Sequence, residues 1–136
     1  SNYRLTHDAL LRKVPIPESQ IFRFRTEYKT PRIIAMDYAS TLRTAFQCPD
    51  SIPRFDLILL GVGTDGHTAS LFDLDEPDES NEIVKAVWVD QLKSYRYTIS
   101  FSLINQARNI LFLVTGEGKS AILKEAFRQA RPFPLY

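Results

Sequence analysis

The segment that decides the fold reads Phe55-Asp-Leu-Ile-Leu-Leu-Gly-Val-Gly-Thr-Asp-Gly-His-Thr-Ala-Ser-Leu-Phe72. Its first six residues are nearly all apolar, which is typical of a strand that is covered on both faces in a parallel sheet. Three glycines follow, and Asp65, His67 and Thr68 lie among or just after them. Because parallel sheets flanked by helices bind ligands beyond the carboxyl ends of their strands, this loop is the first candidate for a functional site.

A second segment repeats the same order of elements. Residues 110–114 form another apolar run, residues 115–119 form a glycine turn that ends in Lys119, and residues 120–130 have helical character. In the first segment, the pattern predicts a short helix over residues 68–72. Two such units favour an α/β fold with a mainly parallel sheet flanked by helices, and they place both glycine turns at the same rim of the sheet.

The rest of the chain is predicted to supply supporting elements within a single domain of residues 1–136. The patterns predict helices over 3–13 and 31–46, a short strand over 21–25, a β-hairpin formed by 83–89 and 95–101, and one or two helical turns over 103–108. The acidic residues 73–82 are predicted to form an exposed loop, and they lack the pattern of a calcium loop, so we expect no metal site there.

The composition excludes several classes of function. The 136 residues include 17 basic and 16 acidic ones, and this balance argues against binding to nucleic acid or to a membrane surface through bulk charge. Cys48 is the one cysteine, so no internal disulfide is possible. No apolar run approaches the ~20 residues that span a bilayer, and no signal-peptide pattern is present. The expected location is the cytoplasm, and the oligomeric state is left open.

The glycines of the first turn match a dinucleotide-binding pattern. Gly61-Val-Gly-Thr-Asp-Gly66 fits G-x-G-x-x-G after a strand, and Asp90 is available as the acidic residue of that motif. A nucleotide-binding unit, however, packs a full helix on the strand, whereas the helix predicted here ends before the acidic loop. A nicotinamide cofactor is therefore the weaker interpretation, and the absence of a following Gly-Lys-Ser/Thr excludes a P-loop.

His67 is the strongest chemical candidate in this loop. It precedes a predicted helix, and the partial positive charge at a helix N-terminus lowers the pKa of a nearby histidine. A neutral imidazole can act as a general base, and Asp65, two residues earlier, can orient the ring. The alternative is a histidine that only satisfies the backbone of the loop.

Two cations elsewhere are candidates for binding an anion. Lys119 is predicted to lie at the start of a helix, where backbone N–H groups favour an anion, although its spacing also fits an ordinary exposed lysine. Arg96 lies between two tyrosines on a predicted strand, and it is either an exposed strand residue or an anion ligand.

The segment 55–72 closely resembles the signature of the 6-phosphogluconolactonase family. Further segments resemble family segments in the same order and at similar spacings, namely Ser1–Arg4, Val14–Pro17, Tyr95–Thr98, Asn105–Arg108 and Phe112–Lys119. The resemblance therefore extends over essentially the whole chain.

This resemblance implies an α/β fold of the sugar-phosphate isomerase type, without a metal or organic cofactor. It implies hydrolysis of 6-phospho-D-glucono-1,5-lactone to 6-phosphogluconate in the oxidative pentose phosphate pathway. It further implies that His67 activates water with Asp65 beside it, and that Lys119 holds the substrate phosphate. Further substrate contacts are expected at Arg96, Gly61, Gly63, Gly66, Thr68, Ser1 and Asn2.

Two alternatives remain beside the lactonase. Glucosamine-6-phosphate isomerases resemble the chain in the Asp-Gly-His element, but continue Gly-His-Ile-Ala-Phe-Asn-Glu-Pro where this chain reads Gly66-His-Thr-Ala-Ser-Leu-Phe72. The other alternative is a non-catalytic fragment that binds a sugar phosphate. The chain has Thr64 and Asp73 where family members usually have proline. Because family members are also longer at both ends, we expect the domain to be incomplete.

Overall fold

The computed structural model describes residues 2–27, 30–72 and 82–128. Within these ranges, the helices are α1 Asn2–Ala9, α2 Pro31–Ala45, α3 Phe101–Asn105 and α4 Ser120–Arg128, and the strands are β1 Ile58–Leu60, β2 Val84–Val89, β3 Ser94–Ile99 and β4 Ile110–Phe112. Short 3-10 helices cover Leu11–Lys13, Glu18–Gln20, Asp90–Leu92 and Glu117–Lys119.

Strands β1 and β4 form a parallel pair. Ile58 lies opposite Ile110 and Leu60 lies opposite Phe112, and the N–H of Leu113 donates to the carbonyl of Leu60 at 2.7 Å. The predicted α/β class with a parallel sheet is therefore confirmed. Because the carboxyl ends of the two strands are adjacent, both glycine turns leave from the same edge of the pair, as predicted.

The two faces of this parallel pair differ in burial. On one face, Ile58 and Leu60 are buried with Leu71 and Ile104 in a shared apolar cluster. The opposite face carries a row of leucines that are each about half exposed, namely Leu57, Leu59, Leu111 and Leu113. Parallel sheets are normally covered on both faces. Here, the described residues leave the face that carries the four leucines partly exposed.

Strands β2 and β3 form the predicted antiparallel hairpin. Val84 pairs with Ile99 and Val89 pairs with Ser94. One face of the hairpin packs on α2, in an apolar cluster formed by Ala35, Leu42, Ile83, Val84 and Leu103 with Ala86 and Ile99. Side chains alternate along a strand, so Lys85, Val87, Arg96 and Thr98, which pair across the hairpin, share the other face.

Helix α2 forms largely as its sequence predicts. Pro31 occupies its first turn, where the missing N–H has no intrahelical partner in any case. Thr30 precedes it at the N-cap position, but its side chain makes no capping hydrogen bond. Ile34, Ala35 and Leu42 are buried, and Ala35 and Leu42 pack with Val84 of the hairpin.

The strand predicted over residues 21–25 is wrong. Within the part of the chain that the structure describes, this extended segment belongs to no strand. Aromatic packing holds it instead, because the ring of Phe24 lies 4.0 Å from that of Tyr38 and 5.7 Å from that of Tyr97, measured between centroids. The packing of Phe24 therefore places this segment without strand pairing.

The helix predicted over residues 68–72 is also wrong. Thr68 and Leu71 form an isolated antiparallel bridge across a tight turn, and Ala69 has φ +52°. A right-handed helix requires negative φ, so Ala69 cannot belong to one. The acidic loop predicted over residues 73–82 lies outside the described residues except for Glu82.

Other boundaries are shorter than predicted. Helix α1 ends at Ala9, and a 3-10 helix continues to Lys13. The apolar run 55–60 contributes only Ile58–Leu60 to the sheet, because the paired partner strand β4 is itself three residues long.

Candidate active site

The loop after β1 is closed by backbone hydrogen bonds among its own residues. The N–H of Gly63 donates to the carbonyl of His67 at 2.7 Å, and the N–H of Gly66 donates to the carbonyl of Gly63 at 3.2 Å. Gly66 has φ +92°, a conformation that glycine adopts without steric cost. These bonds fold residues 63–67 into a compact turn that presents His67 beyond the end of the strand.

The space beside the α-carbon of Gly63 is occupied by two polar side chains. A Cβ atom built there would overlap Oδ1 of Asp65 and the imidazole ring of His67 at Nδ1 and Cε1. The absence of a side chain at Gly63 therefore makes room for the contact between the two polar side chains.

Asp65 and His67 form a hydrogen-bonded pair. Nδ1 of His67 lies 2.6 Å from Oδ1 of Asp65, and the backbone N–H of His67 donates to the same oxygen at 3.3 Å. An ionised carboxylate only accepts hydrogen bonds, so the proton is on Nδ1. Nε2 of the neutral ring is then left with its lone pair. The pair has the geometry of a general base with an orienting carboxylate.

The environment of this pair is partly open to solvent. The side chain of His67 is 29% exposed and that of Asp65 is 64% exposed. The ring of His67 lies 4.4 Å from that of Phe72, measured between centroids, so one part of the imidazole is shielded by an aromatic surface. The remaining opening leaves room for water and for a substrate.

The pKa of Asp65 lies below its ordinary value of 3.8. Partial desolvation is the largest single influence and raises this pKa, but the hydrogen bonds from the His67 ring and backbone N–H together outweigh it. The carboxyl group is therefore ionised at neutral pH, as its role as hydrogen-bond acceptor requires.

The helix that was expected to influence His67 is absent, because residues 68–72 form a turn. The argument from the charge at a helix N-terminus therefore does not apply to this histidine. The interpretation of His67 as a base rests instead on the orientation of its ring by Asp65.

Thr68 anchors the loop to the strand that precedes it. Its hydroxyl donates to the carbonyl of Gly61 at 2.9 Å, and the residue is 1% exposed. The geometry gives this hydroxyl a structural partner, and a contact between Thr68 and substrate stays a prediction. Leu71 holds the loop from below, because its side chain is buried with Ile58 and Leu60.

Thr98 is a residue of this region that the sequence interpretation missed. It lies on β3, and its Oγ1 accepts a hydrogen bond from the backbone N–H of Ser70 at 3.3 Å. A signal was present in the sequence, since a threonine two residues from Arg96 on a predicted strand shares its face. The loop is thereby connected to the hairpin.

Lys119 lies at the edge of the parallel pair from which the His67 loop also leaves. It ends the 3-10 helix Glu117–Lys119, which follows Gly116 with φ +91°. The hydroxyl of Ser120 donates to the carbonyl of Glu117 at 2.7 Å and closes this turn. The two glycine turns thus follow the carboxyl ends of two adjacent parallel strands, and phosphate binding by Lys119 stays a prediction.

The remaining predicted ligands are more scattered. Arg96 is exposed on the hairpin face that it shares with Thr98. Asn2 is the first residue of α1, and Ser1 lies outside the described residues.

A cavity of about 390 Å³ is lined by residues of both the loop and the hairpin. Its lining includes Asp65, Ser70 and Phe72 from the loop, and Lys85 and Val87 from β2. A larger cavity of about 1030 Å³ lies between α2 and β2. None of the predicted site residues is among the described residues that line the larger cavity. Asp65 lines the smaller one, whereas His67 is not among its described lining residues.

Among the residues that the structure describes, no three or more His, Cys, Asp or Glu side chains are grouped so that they could hold a metal ion. Over residues 2–27, 30–72 and 82–128, no helix has both the length and the apolar character needed to cross a bilayer.

The chain is similar to proteins of one family along nearly its whole length. A family model described as glucosamine-6-phosphate isomerases/6-phosphogluconolactonase matches residues 1–135. The 6-phosphogluconolactonase of Homo sapiens is 43% identical over 137 residues, which cover 99% of this chain and 52% of the relative. The 6-phosphogluconolactonase of Synechocystis sp. is 40% identical over 128 residues, which cover 93% of this chain and 53% of the relative.

Solved structures agree with this similarity. The crystal structure of 6-phosphogluconolactonase from Thermotoga maritima has a TM-score of 0.84 at 30% identity, and the match covers all of this chain and 59% of that one. The structure of 6-phosphogluconolactonase from Trypanosoma brucei has a TM-score of 0.73 at 29% identity, with coverage of 97% and 57%. The chain spans about half the length of the curated relatives that it matches.

Proposed function

The chain belongs to the family of glucosamine-6-phosphate isomerases and 6-phosphogluconolactonases, and from this premise we propose that it provides the catalytic loop of a lactonase. The reaction is hydrolysis of 6-phospho-D-glucono-1,5-lactone to 6-phosphogluconate, within the oxidative pentose phosphate pathway. The observation that carries the proposal is the 2.6 Å contact between Nδ1 of His67 and Oδ1 of Asp65, which leaves Nε2 available as a base. We also propose that residues 1–136 belong to one α/β domain.

In this mechanism, Nε2 of His67 takes a proton from water while the water oxygen bonds to the lactone carbonyl carbon. A tetrahedral intermediate with a negatively charged oxygen results. Its collapse breaks the bond between that carbon and the ring oxygen, and the imidazolium of His67 returns the proton to the departing oxygen. Asp65 stabilises the imidazolium through Nδ1. Backbone N–H groups of the loop or Arg96 stabilise the negative oxygen.

The phosphate of the substrate is assigned to the second glycine turn. Lys119 supplies the positive charge there, and its position at the same edge as His67 supports this role. Gly61, Gly63 and Gly66 shape the surface on which the sugar lies. Thr68, Arg96, Asn2 and Ser1 complete the proposed set of substrate-binding residues.

The test is His67→Ala in the full-length protein, measured by a coupled assay that follows 6-phosphogluconate. Loss of a general base is expected to lower kcat about 10²–10⁴-fold. The matched control is His7→Ala, because His7 also lies near an aspartate, with Nδ1 3.4 Å from Oδ1 of Asp8, on the exposed helix α1. Unchanged lactone hydrolysis in His67→Ala would exclude the proposed role.

The family description also includes glucosamine-6-phosphate isomerases. The same protein should therefore be assayed with glucosamine 6-phosphate as substrate. Ammonia release from this substrate, without lactone hydrolysis, would replace the lactonase with the isomerase. Binding of 6-phosphogluconate without turnover of either substrate would favour a non-catalytic binding function. We propose that the enzyme acts in the cytoplasm and that its partner is the small sugar-phosphate lactone. The near balance of basic and acidic residues argues against nucleic acid or a membrane surface as a partner.

A further inference from the structure

The far end of the His67 loop is held by a residue of the hairpin. The backbone N–H of Ser70 donates to Oγ1 of Thr98 at 3.3 Å, and the hydroxyl of Thr98 donates to the carbonyl of Ile99 at 3.1 Å. Ser70 and Thr98 are 6% and 3% exposed. Because the hydroxyl proton is already directed to Ile99, Thr98 offers the loop an acceptor only.

This bond is one of several hydrogen bonds that fix the loop. Some lie within the turn, such as that from Gly63 to His67, and another joins Thr68 to Gly61 at the end of β1. The bond to Thr98 connects the loop to a different strand pair. Loss of its acceptor would leave a buried N–H without a partner, which folded chains avoid by moving the backbone.

The bond to Thr98 also lies next to a strained residue. Ala69 has φ +52°, a conformation that a residue with a side chain holds only when its surroundings fix it. The anchored residues Thr68 and Ser70 flank Ala69 on its two sides. When Ser70 is released, Ala69, which is two residues from His67, is free to adopt a more favourable conformation.

We propose that Thr98 is a positioning residue for the reaction, and that through Ser70 it holds the His67 loop in the geometry that lactone hydrolysis requires. This inference rests on the proposed function. Thr98 does not touch the reacting atoms, so its effect is exerted on the placement of the His67 ring relative to the substrate carbonyl.

The experiment compares Thr98→Val and Thr98→Ser in the full-length protein. Valine keeps the shape of threonine but lacks the acceptor, and a displacement of about 1 Å at a catalytic group costs on the order of 10²-fold in rate. We therefore expect Thr98→Val to lower kcat about 10–100-fold while KM changes less than about threefold. Serine keeps the oxygen, so Thr98→Ser should retain kcat within about threefold of the wild type.

The control for a purely structural effect is Ser100→Ala. Ser100 is fully buried two residues further along the chain, but its Oγ accepts from the N–H of Leu103 at the start of α3 instead of from the loop. Both variants remove one buried acceptor, so both should lower Tm. Thr98→Val alone should lower kcat, and it alone should accelerate hydrogen exchange at the Ser70 amide.

Equal losses of kcat in Thr98→Val and Ser100→Ala would overturn the positioning role, and so would a failure of Thr98→Ser to retain activity. If the wild type is active and Thr98→Val keeps its kcat, this inference fails and the proposed function stands. A wild type that hydrolyses no lactone would overturn both.

Discussion

The two glycine turns occupy equivalent places, one after β1 and one after β4, yet they are built in different ways. The turn at residues 61–72 is tied internally, to its own strand and to the hairpin. The turn at residues 115–119 is a short 3-10 helix with mostly exposed residues. The first turn holds two side chains in contact with each other, whereas the second carries one cation, Lys119, which is partly buried. Two turns that follow adjacent parallel strands can therefore be anchored to the rest of the structure in different ways.

The glycines illustrate the same difference. A Cβ at Gly63 would overlap Asp65 and His67, whereas a Cβ at Gly116 or Gly118 would meet nothing within 4 Å. Gly116 is favoured by its backbone conformation, with φ +91°. Glycine is needed for space in the first turn and for backbone freedom in the second.

The largest expected effect is that of Gly63→Ala. The added methyl group forces Asp65 and His67 apart, so kcat for lactone hydrolysis should fall about 10²–10⁴-fold, as for loss of the base itself. The comparison variant is Gly118→Ala in the other turn, where a methyl group meets open space. Its thermal stability should be unchanged or slightly higher.

Equal activity in Gly63→Ala and the wild type would show that the Asp65–His67 contact is not needed. The comparison of the two turns would then lose its functional meaning.

A smaller effect is expected from Lys119→Ala. A hydrogen bond to a charged group contributes about 1.5–3 kcal/mol, so KM for the lactone should rise about 10-fold or more. The value of kcat should change less, because binding of a remote phosphate is similar in the ground state and the transition state. The control is Lys124→Ala, which removes an exposed lysine within α4.

If Lys124→Ala raised KM as much as Lys119→Ala, the result would reflect general charge rather than a phosphate site. The second turn would then have no specific role in binding, and the contrast with the first turn would be one of structure alone.

The smallest effect is expected on stability, in Asp65→Asn. Because the folded-state pKa of Asp65 is lowered, the ionised carboxylate contributes stability that is fully present above pH ~4 and is lost as the pH falls through the folded-state pKa. The side chain is mostly exposed, so this contribution should not exceed ~1 kcal/mol. Urea unfolding of the wild type and the variant at pH 7 and at pH 3 measures it.

The two proteins should differ in stability at pH 7 and converge towards pH 3. A difference that grew as the pH fell would contradict the assigned direction of the pKa shift.

Local spacing was sufficient to predict the contact between Asp65 and His67, while the substrate-binding residues stay predictions. Asp65 and His67 are two residues apart beyond an apolar run, and a tight turn brings such neighbours into contact. The position of Lys119 followed from the repeated strand and glycine turn, because a parallel pair aligns its carboxyl ends. The hairpin and α2 also followed from alternation and helical spacing.

The errors arose where distant residues decide the local structure. Residues 68–72 have helical spacing, but the bonds of Thr68 to Gly61 and of Ser70 to Thr98 hold them in a turn. The acceptor on Thr98 lies in a separate element, so nothing in the loop sequence reveals it. The segment 21–25 has the alternation of a strand, but Tyr38 and Tyr97, which contact Phe24, lie far along the chain.

The crowding at Gly63 also has a genetic consequence. Every single-base change in a glycine codon that alters the encoded residue introduces either a side chain or a stop codon. At this position, any side chain collides with both Asp65 and His67. Each such change at Gly63 therefore requires Asp65 and His67 to move, and we expect selection for the reaction to act on these three residues together.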